Sequence, residues 1–167
     1  MSMMNPLALS PSEKAAEAAV QASGHDPDRE IAYYSRWAAG AGLLPTPVVD
    51  LAAVAAVQVK MVKRLARAYN VDFDEGTNGV KSLVGAVLGA GVPARIGYGG
   101  IGSLIKAVPV IGPVLGAATM PGFNYASTWA LGQVFKKHFA HGGTLADANV
   151  KQMGAAVSEA QKAAPVQ

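Results

Sequence analysis

The chain contains no cysteine. That excludes a disulfide framework, thiolate metal sites and cysteine nucleophiles. Aromatic residues make up only 7% and charged residues only 15% of its 167 positions. Hydrophobic residues reach 51%, much of it Ala and Val, and there are 19 Gly. Helices must therefore pack closely through small side chains rather than around large ones. Carboxylates are absent from Gly76 to Ala146, although Lys81, Arg95, Lys106, Lys136 and Lys137 all lie there. No stretch alternates apolar and polar residues convincingly, so no β-sheet is expected. The high apolar share and low charge argue against disorder for most of the chain.

What is present points toward a bilayer. Long acid-free apolar sequence flanked by Lys and Arg is the pattern of a segment in or on a membrane. Lys60, Lys63, Arg64 and Arg67 are spaced as one basic helical stripe. A net charge of +3 is a thin electrostatic footprint for polynucleotides, so no nucleic-acid partner is expected. Met1–Ser10 lacks both the basic region and the compact apolar run of a secretory signal, and no cleavable targeting peptide is expected.

Helix boundaries are written in the capping residues. Ser10-Pro11-Ser12-Glu13 is a capping box with Pro at the first helical position, and Gly24 should close that helix. Asp26-Pro27 opens the next, with Ile31, Tyr34, Trp37 and Ala41 at helical spacing and an end near Leu44, before Pro45. Thr46-Pro47 restarts a helix that runs to about Tyr69, with Asn70 as its C-cap. Lys81–Ala107 reads as a Gly-rich helical stretch broken at Gly91-Val92-Pro93. After Val108–Pro113, helical sequence runs to Phe139 with a break at Met120-Pro121-Gly122 and an end at His141-Gly142-Gly143. Thr144–Asp147 then reads as the cap of a last helix.

Gly85-x-x-x-Gly89 and Gly112-x-x-x-Gly116 place small residues on one helix face, the helix-association pattern of apolar sequence. Asp50, alone among apolar neighbours, reads either as an intramembrane carboxylate or as a first-turn acid favoured by the helix dipole. His138 and His141, with His25, are all the histidines. No Cys or nearby acid completes a metal site around them, and helix-end cations are the simpler reading. Asp72-Phe73-Asp74-Glu75-Gly76 fails as a calcium loop because Leu83 stands where the bidentate Glu would be. Phosphate-loop and nucleophile-elbow motifs are missing. Catalytic, cofactor-binding and metal-binding residues are therefore expected to be none.

Tyr34-Ser35-Arg36-Trp37-Ala38-Ala39-Gly40-Ala41-Gly42-Leu43-Leu44-Pro45-Thr46-Pro47-Val48-Val49-Asp50 resembles the opening motif of a bacterial GTPase-associated domain of unknown function, the family of YcjF-like inner-membrane proteins. The likeness continues through Gln58-Val59-Lys60-Met61 and Leu65-Ala66-x-x-Tyr69. Ile105-Lys106-x-x-Pro109-x-x-Gly112 and Gly116–Pro121 look like its central motif. Its closing motif is similar to the run from Ala126 through Thr128, Leu131-Gly132, Phe135 and His138-Phe139 to Gly142-Gly143. The resemblance implies an α-helical, membrane-associated domain, often attached to or encoded near small GTPases, and no established catalytic residues. With no nucleotide-binding domain in this sequence, a GTPase link would be in trans.

The expected fold is all-α, with helical hairpins built from Pro/Gly-broken apolar helices embedded in a membrane. Residues 1–26 form an N-terminal capped helix and tail, 27–143 the membrane-associated domain, and 144–167 a C-terminal helix and frayed tail. The expected bilayer-inserting tips are Leu43, Leu44, Pro45, Pro47 and Val48, and Pro109, Ile111 and Pro113. Trp37–Leu44 would extend only about 12 Å as helix against a hydrocarbon core of about 30 Å, so the first hairpin dips without crossing, whereas Pro113–Phe135 has the length to cross. Lys60, Lys63, Arg64, Lys136 and Lys137 would meet the headgroups, placing the protein on the cytoplasmic side of a bacterial inner membrane. The expected function is a non-enzymatic anchor, scaffold or membrane-remodelling module. Its partners would be the lipid bilayer, further copies of itself as a homo-oligomer and a small GTPase, with no cofactor. Two alternatives stand beside it: a transport or pore-forming protein, and a soluble bundle whose apolar hairpins are its core. Gly85→Leu or Gly116→Leu is expected to break an oligomer or the fold, because overpacking a close helix contact costs about 1–3 kcal/mol. Unchanged mass and thermal stability for both variants would reduce these glycines to mere helix breaks.

Overall fold

Local capping sets the helix ends. The computed structural model describes residues 9–41, 47–72, 84 and 120–165, apart from the side chains of 47–52 and 120. Five helices are bounded among the described residues: α1 Pro11–Ser23, α2 Pro27–Ala41, α3 Pro47–Ala68, α4 Met120–Ala140 and α5 Val150–Lys162. No strand occurs among the described residues, and the fold is all-α. Ser10 and Glu13 close a reciprocal capping box, and α1 ends at Gly24 with φ +66°. Asp26 caps α2 by accepting from the backbone N–H groups of Asp28 at 3.0 Å and Arg29 at 3.3 Å.

Both long helices stop in the same way. At α3, Asn70 adopts φ +53°, its N–H bonds to the Arg67 carbonyl, and Val71 N–H reaches back to the Ala66 carbonyl at 2.8 Å. At α4, Gly142 adopts φ +83°, its N–H bonds to Phe139, and Gly143 N–H reaches His138 at 3.0 Å. This pair of bonds satisfies carbonyls that a helix end otherwise leaves open.

The central element is α4, which packs against all four other helices. Asn124 to Thr128 are five consecutive buried residues, so this helix is enclosed on every side at that level. A helix that is apolar all round belongs in a core or in a membrane. Here it is a core. Leu131, Phe135 and Phe139 of α4 meet Ile31 of α2, Met61, Val62 and Leu65 of α3, and Met153 and Val157 of α5 in one cluster that also includes Val84. Phe135 and Phe139 stack at 5.7 Å, and Tyr69 continues the row at 6.2 Å from Phe139.

On length alone Pro113–Phe135 could cross a bilayer, and its residues 113–119 lie outside the described ones. Among the described residues no helix is long and apolar enough to cross a membrane. The apolar character of α4 is accounted for by protein neighbours. The expected break at Met120-Pro121-Gly122 is a helix start, with Pro121 in the first turn, where its missing N–H leaves no bond unmade. Likewise α5 begins at Val150, capped by the Asn149 side chain accepting from Gln152 N–H at 3.1 Å, and not at Thr144–Asp147.

The inner face of α2 differs from the expected one as well. Pro27, Ile31, Ser35 and Ala38 are buried, whereas Trp37 is 59% exposed. A Cβ at Gly132 would lie 2.8 Å from Ile31 Cγ1 and 3.1 Å from Met61 Sδ, so side chains of α2 and α3 rest directly on the α4 backbone there. The Ser35 hydroxyl donates to the Ile31 carbonyl of its own helix at 2.8 Å, which lets it be buried at no polar penalty.

Gly132→Ala is expected to destabilise the protein despite alanine's better helix propensity. Overpacking costs about 1–3 kcal/mol, against a propensity gain of about 1 kcal/mol. In an Ile31→Ala background, which removes the two nearest atoms and leaves Met61 Sδ at 3.1 Å, the same change should cost measurably less. Chemical denaturation of the four-protein cycle measures that coupling.

Candidate functional site

Most residues that the sequence singles out for membrane insertion lie outside the described residues. These are Leu43, Leu44, Pro45, Pro109, Ile111 and Pro113, together with the glycines Gly85, Gly89, Gly112 and Gly116. Pro47, Val48 and Asp50 fall in the first turn of α3, with their side chains outside the description.

The basic residues are on the surface. Lys60, Arg64 and Arg67 are exposed along α3 and Lys63 is half-buried beside them. Arg64 Nη1 sits 3.3 Å from His25 Nε2, which ties the α3 surface to the turn before α2. On α4, Lys137 is exposed. Lys136 is committed to a partner: its ammonium donates to both carboxylate oxygens of Asp28 at 2.6 Å. That pair pins α2 to α4 across 108 residues of sequence. Asp28 remains largely exposed, so its net worth is that of a surface pair, on the order of 1 kcal/mol or less.

Each histidine is engaged by nearby backbone. His25 Nδ1 lies 2.8 Å from the Ser23 carbonyl, and His141 Nδ1 lies 2.6 Å from the Lys137 carbonyl. His138 Nε2 donates to the Thr144 carbonyl at 2.7 Å and lies 3.2 Å from Asp147 Oδ1. Its imidazole lies against Gly143, where any Cβ would collide with it. Asp147 in turn accepts from Thr144 N–H at 2.7 Å. That bond is the main cause holding the Asp147 carboxyl below the usual aspartate range; burial opposes it, and the Thr144 hydroxyl and His138 add to the lowering. Glu13 behaves in the same way: Ser10 N–H and then the Ser10 hydroxyl lower its pKa, helped by the charge of His141 3.5 Å away. The turn after α4 is thus a knot of short hydrogen bonds joining α1, α4 and the approach to α5. Among the described residues no group of three or more His, Asp or Glu could hold a metal ion.

A second polar cluster lies inside the bundle. Gln58 of α3 donates to Thr128 Oγ1 of α4 at 3.2 Å, with both residues buried. Ser127, one position earlier, donates to the Asn124 carbonyl at 3.2 Å. No buried side-chain nitrogen or oxygen among the described residues lacks a hydrogen-bond partner. The cluster fixes how α3 lies on α4, because sliding either helix would strand polar atoms in an apolar interior.

What sequence reading missed is on α2. Tyr33 and Trp37 are exposed by 53% and 59% on its outer side. They meet edge to face with ring centroids 6.2 Å apart, and Tyr34 meets Tyr33 at 5.3 Å. Arg29, Arg36 and Gly40 are exposed with them, and the spacing 29, 33, 36, 37, 40 is one helical stripe. The available signal was the aromatic–arginine spacing itself, which invited a buried reading.

Residues 12–164 match the family described as "Domain of unknown function (DUF697)". Over 120 residues the chain is 34% identical to "Magnetosome membrane protein 22" of Magnetospirillum gryphiswaldense, covering 71% of this chain and 60% of that protein. No solved structure matches.

The two depressed carboxyls make the knot acid-sensitive. A carboxyl whose folded pKa lies below its unfolded one stabilises the fold above the unfolded pKa, and loses that contribution as pH falls through the folded pKa. With ordinary values of 4.5 for Glu13 and 3.8 for Asp147, thermal midpoints should decline on acidification from these values downward. Asp147→Asn should flatten that acid limb while lowering the midpoint at neutral pH. Melting curves of both proteins across this range decide it.

Proposed function

The chain belongs to the DUF697 family, and from that premise we propose that it is a membrane-associated helical module without enzymatic activity, serving as anchor, scaffold or membrane-remodelling unit. The observation that carries this reading is its kinship, over 71% of its length, with a protein whose name places it in a membrane. The absence of a catalytic role is supported by where the polar groups go. The histidines bond to nearby backbone carbonyls, and Gln58 and Thr128 bond to each other between helices. These are the groups that a nucleophile–base pair would have needed.

Several finer parts belong to the same proposal. Within the family we place the chain beside the YcjF-like inner-membrane proteins, on the motifs from Tyr34 to Asp50 and from Ala126 to Gly143. Self-association is supported by Gly85-x-x-x-Gly89 and Gly112-x-x-x-Gly116, and by the use of Gly132 for close helix approach within the chain. A small GTPase in trans is supported by the family motifs alone. Placement on the cytoplasmic side of the inner membrane follows from the basic residues Lys60, Lys63, Arg64 and Lys137, which suit anionic headgroups on that side.

The chain expressed in bacterial cells should sediment with the membrane fraction and be released by mild detergent as a particle heavier than one 17.0 kDa chain. Ultracentrifugation followed by mass measurement reads both. Recovery of all of it in the high-speed supernatant, at monomer mass and at both low and high salt, overturns the proposal.

A further inference from the structure

We propose that the outer face of α2 is a lipid-contacting surface, seating Tyr33 and Trp37 among the headgroups of an anionic bilayer with Arg29 and Arg36 on the phosphates. The inference rests on the membrane association proposed above and assigns it a face. Two large rings at 53% and 59% exposure, in contact with each other, leave a continuous apolar strip in water. The opposite side of α2 is fixed: Pro27, Ile31, Ser35 and Ala38 are buried against the bundle. The helix can therefore meet a bilayer only along its outer side, lying on it rather than passing through it. Tyr and Trp suit that depth, since an apolar ring enters the headgroup layer while its N–H or O–H stays hydrated. Arg adds a long apolar stem with a head that pairs with phosphate.

The charges on and around the strip favour lipid over a second copy. Arg29 and Arg36 are exposed on it. Of the nearby acids, Asp28 is held by Lys136 at 2.6 Å, Glu30 is half-buried, and the exposed Asp26 is engaged as the cap of α2 by the N–H groups of Asp28 and Arg29. A two-fold pairing of this face with itself would bring arginines toward arginines without an unengaged, fully exposed acid to separate them. An anionic surface supplies the missing charge.

Trp37 and Trp129 are the two tryptophans, and Trp129 is partly buried against the core. In the full chain carrying Trp129→Phe, Trp37 reports alone. If that variant does not fold, the difference between the native protein and Trp37→Phe yields the same spectrum. With vesicles of phosphatidylglycerol and phosphatidylethanolamine, Trp37 emission should shift to the blue. It should also lose quenching by iodide and gain quenching by brominated acyl chains. Arg36→Glu should lower partitioning into these vesicles by about tenfold, with unchanged circular dichroism. Unchanged partitioning of that variant overturns the phosphate contact. Co-sedimentation with vesicles while Trp37 stays open to iodide overturns this face and leaves the membrane reading standing. Failure to bind any vesicle brings down both. A blue shift without lipid that follows protein concentration and a doubled mass gives the face to a second copy and overturns the inference.

Discussion

The fold turns on one close approach. Gly132 lets α4 come near enough for Ile31 and Met61 to touch its backbone, and that junction joins α2, α3 and α4. The Ser35 hydroxyl is satisfied within its own helix, which suits it and Ala38 to the inner side of α2. Phe135, Phe139 and Tyr69 form one row of rings in the bundle, and Tyr33 and Trp37 stand on the outside.

Around that junction, position is set by polar groups rather than by apolar bulk. Gln58 on Thr128 fixes the register of α3 on α4, and the exposed Lys136–Asp28 pair adds a weak link between α2 and α4. The knot of His138, Thr144 and Asp147 fixes the direction in which the chain leaves α4. Small apolar side chains give weak shape specificity, since Ala and Val surfaces fit one another in many registers. Directional bonds between buried partners remove that ambiguity because each alternative leaves a donor or acceptor unmatched.

Helix ends were legible in the sequence because capping is local. Ser10 with Glu13, Gly24, Asp26, Asn70 and Gly142 act within four residues of the bonds they make. The orientation of α2 was not legible: Tyr34 and Trp37 match helical spacing as well as Ser35 and Ala38 do, and packing against helices distant in sequence decides between the two faces. Thr144–Asp147 looked like a helix cap because it has the residues of one, but Asp147 accepts from Thr144 and meets His138, a partner nine positions away. The surroundings of α4 were not legible either, since a helix enclosed by protein and one enclosed by lipid carry the same composition. The expected tips and glycine pairs from Leu43 to Pro45 and from Gly85 to Gly116 lie outside the described residues. The basic stripe of α3 is where the spacing put it.

The position of α4 in the chain also governs the order in which the bundle can close. Ile31 and Met61 acquire their common partner only when residue 132 has been made, and the Asp28–Lys136 pair waits for 108 further residues. At roughly 5–20 residues per second, α2 waits about 5–20 s of synthesis for the α4 partner of Asp28. In that interval the acid-free sequence after Gly76 emerges, well before the helix that completes the bundle. Most small helical bundles close through neighbours in sequence and do so quickly. This one can pair α2 with α3 early but closes both onto α4 only near the end of synthesis.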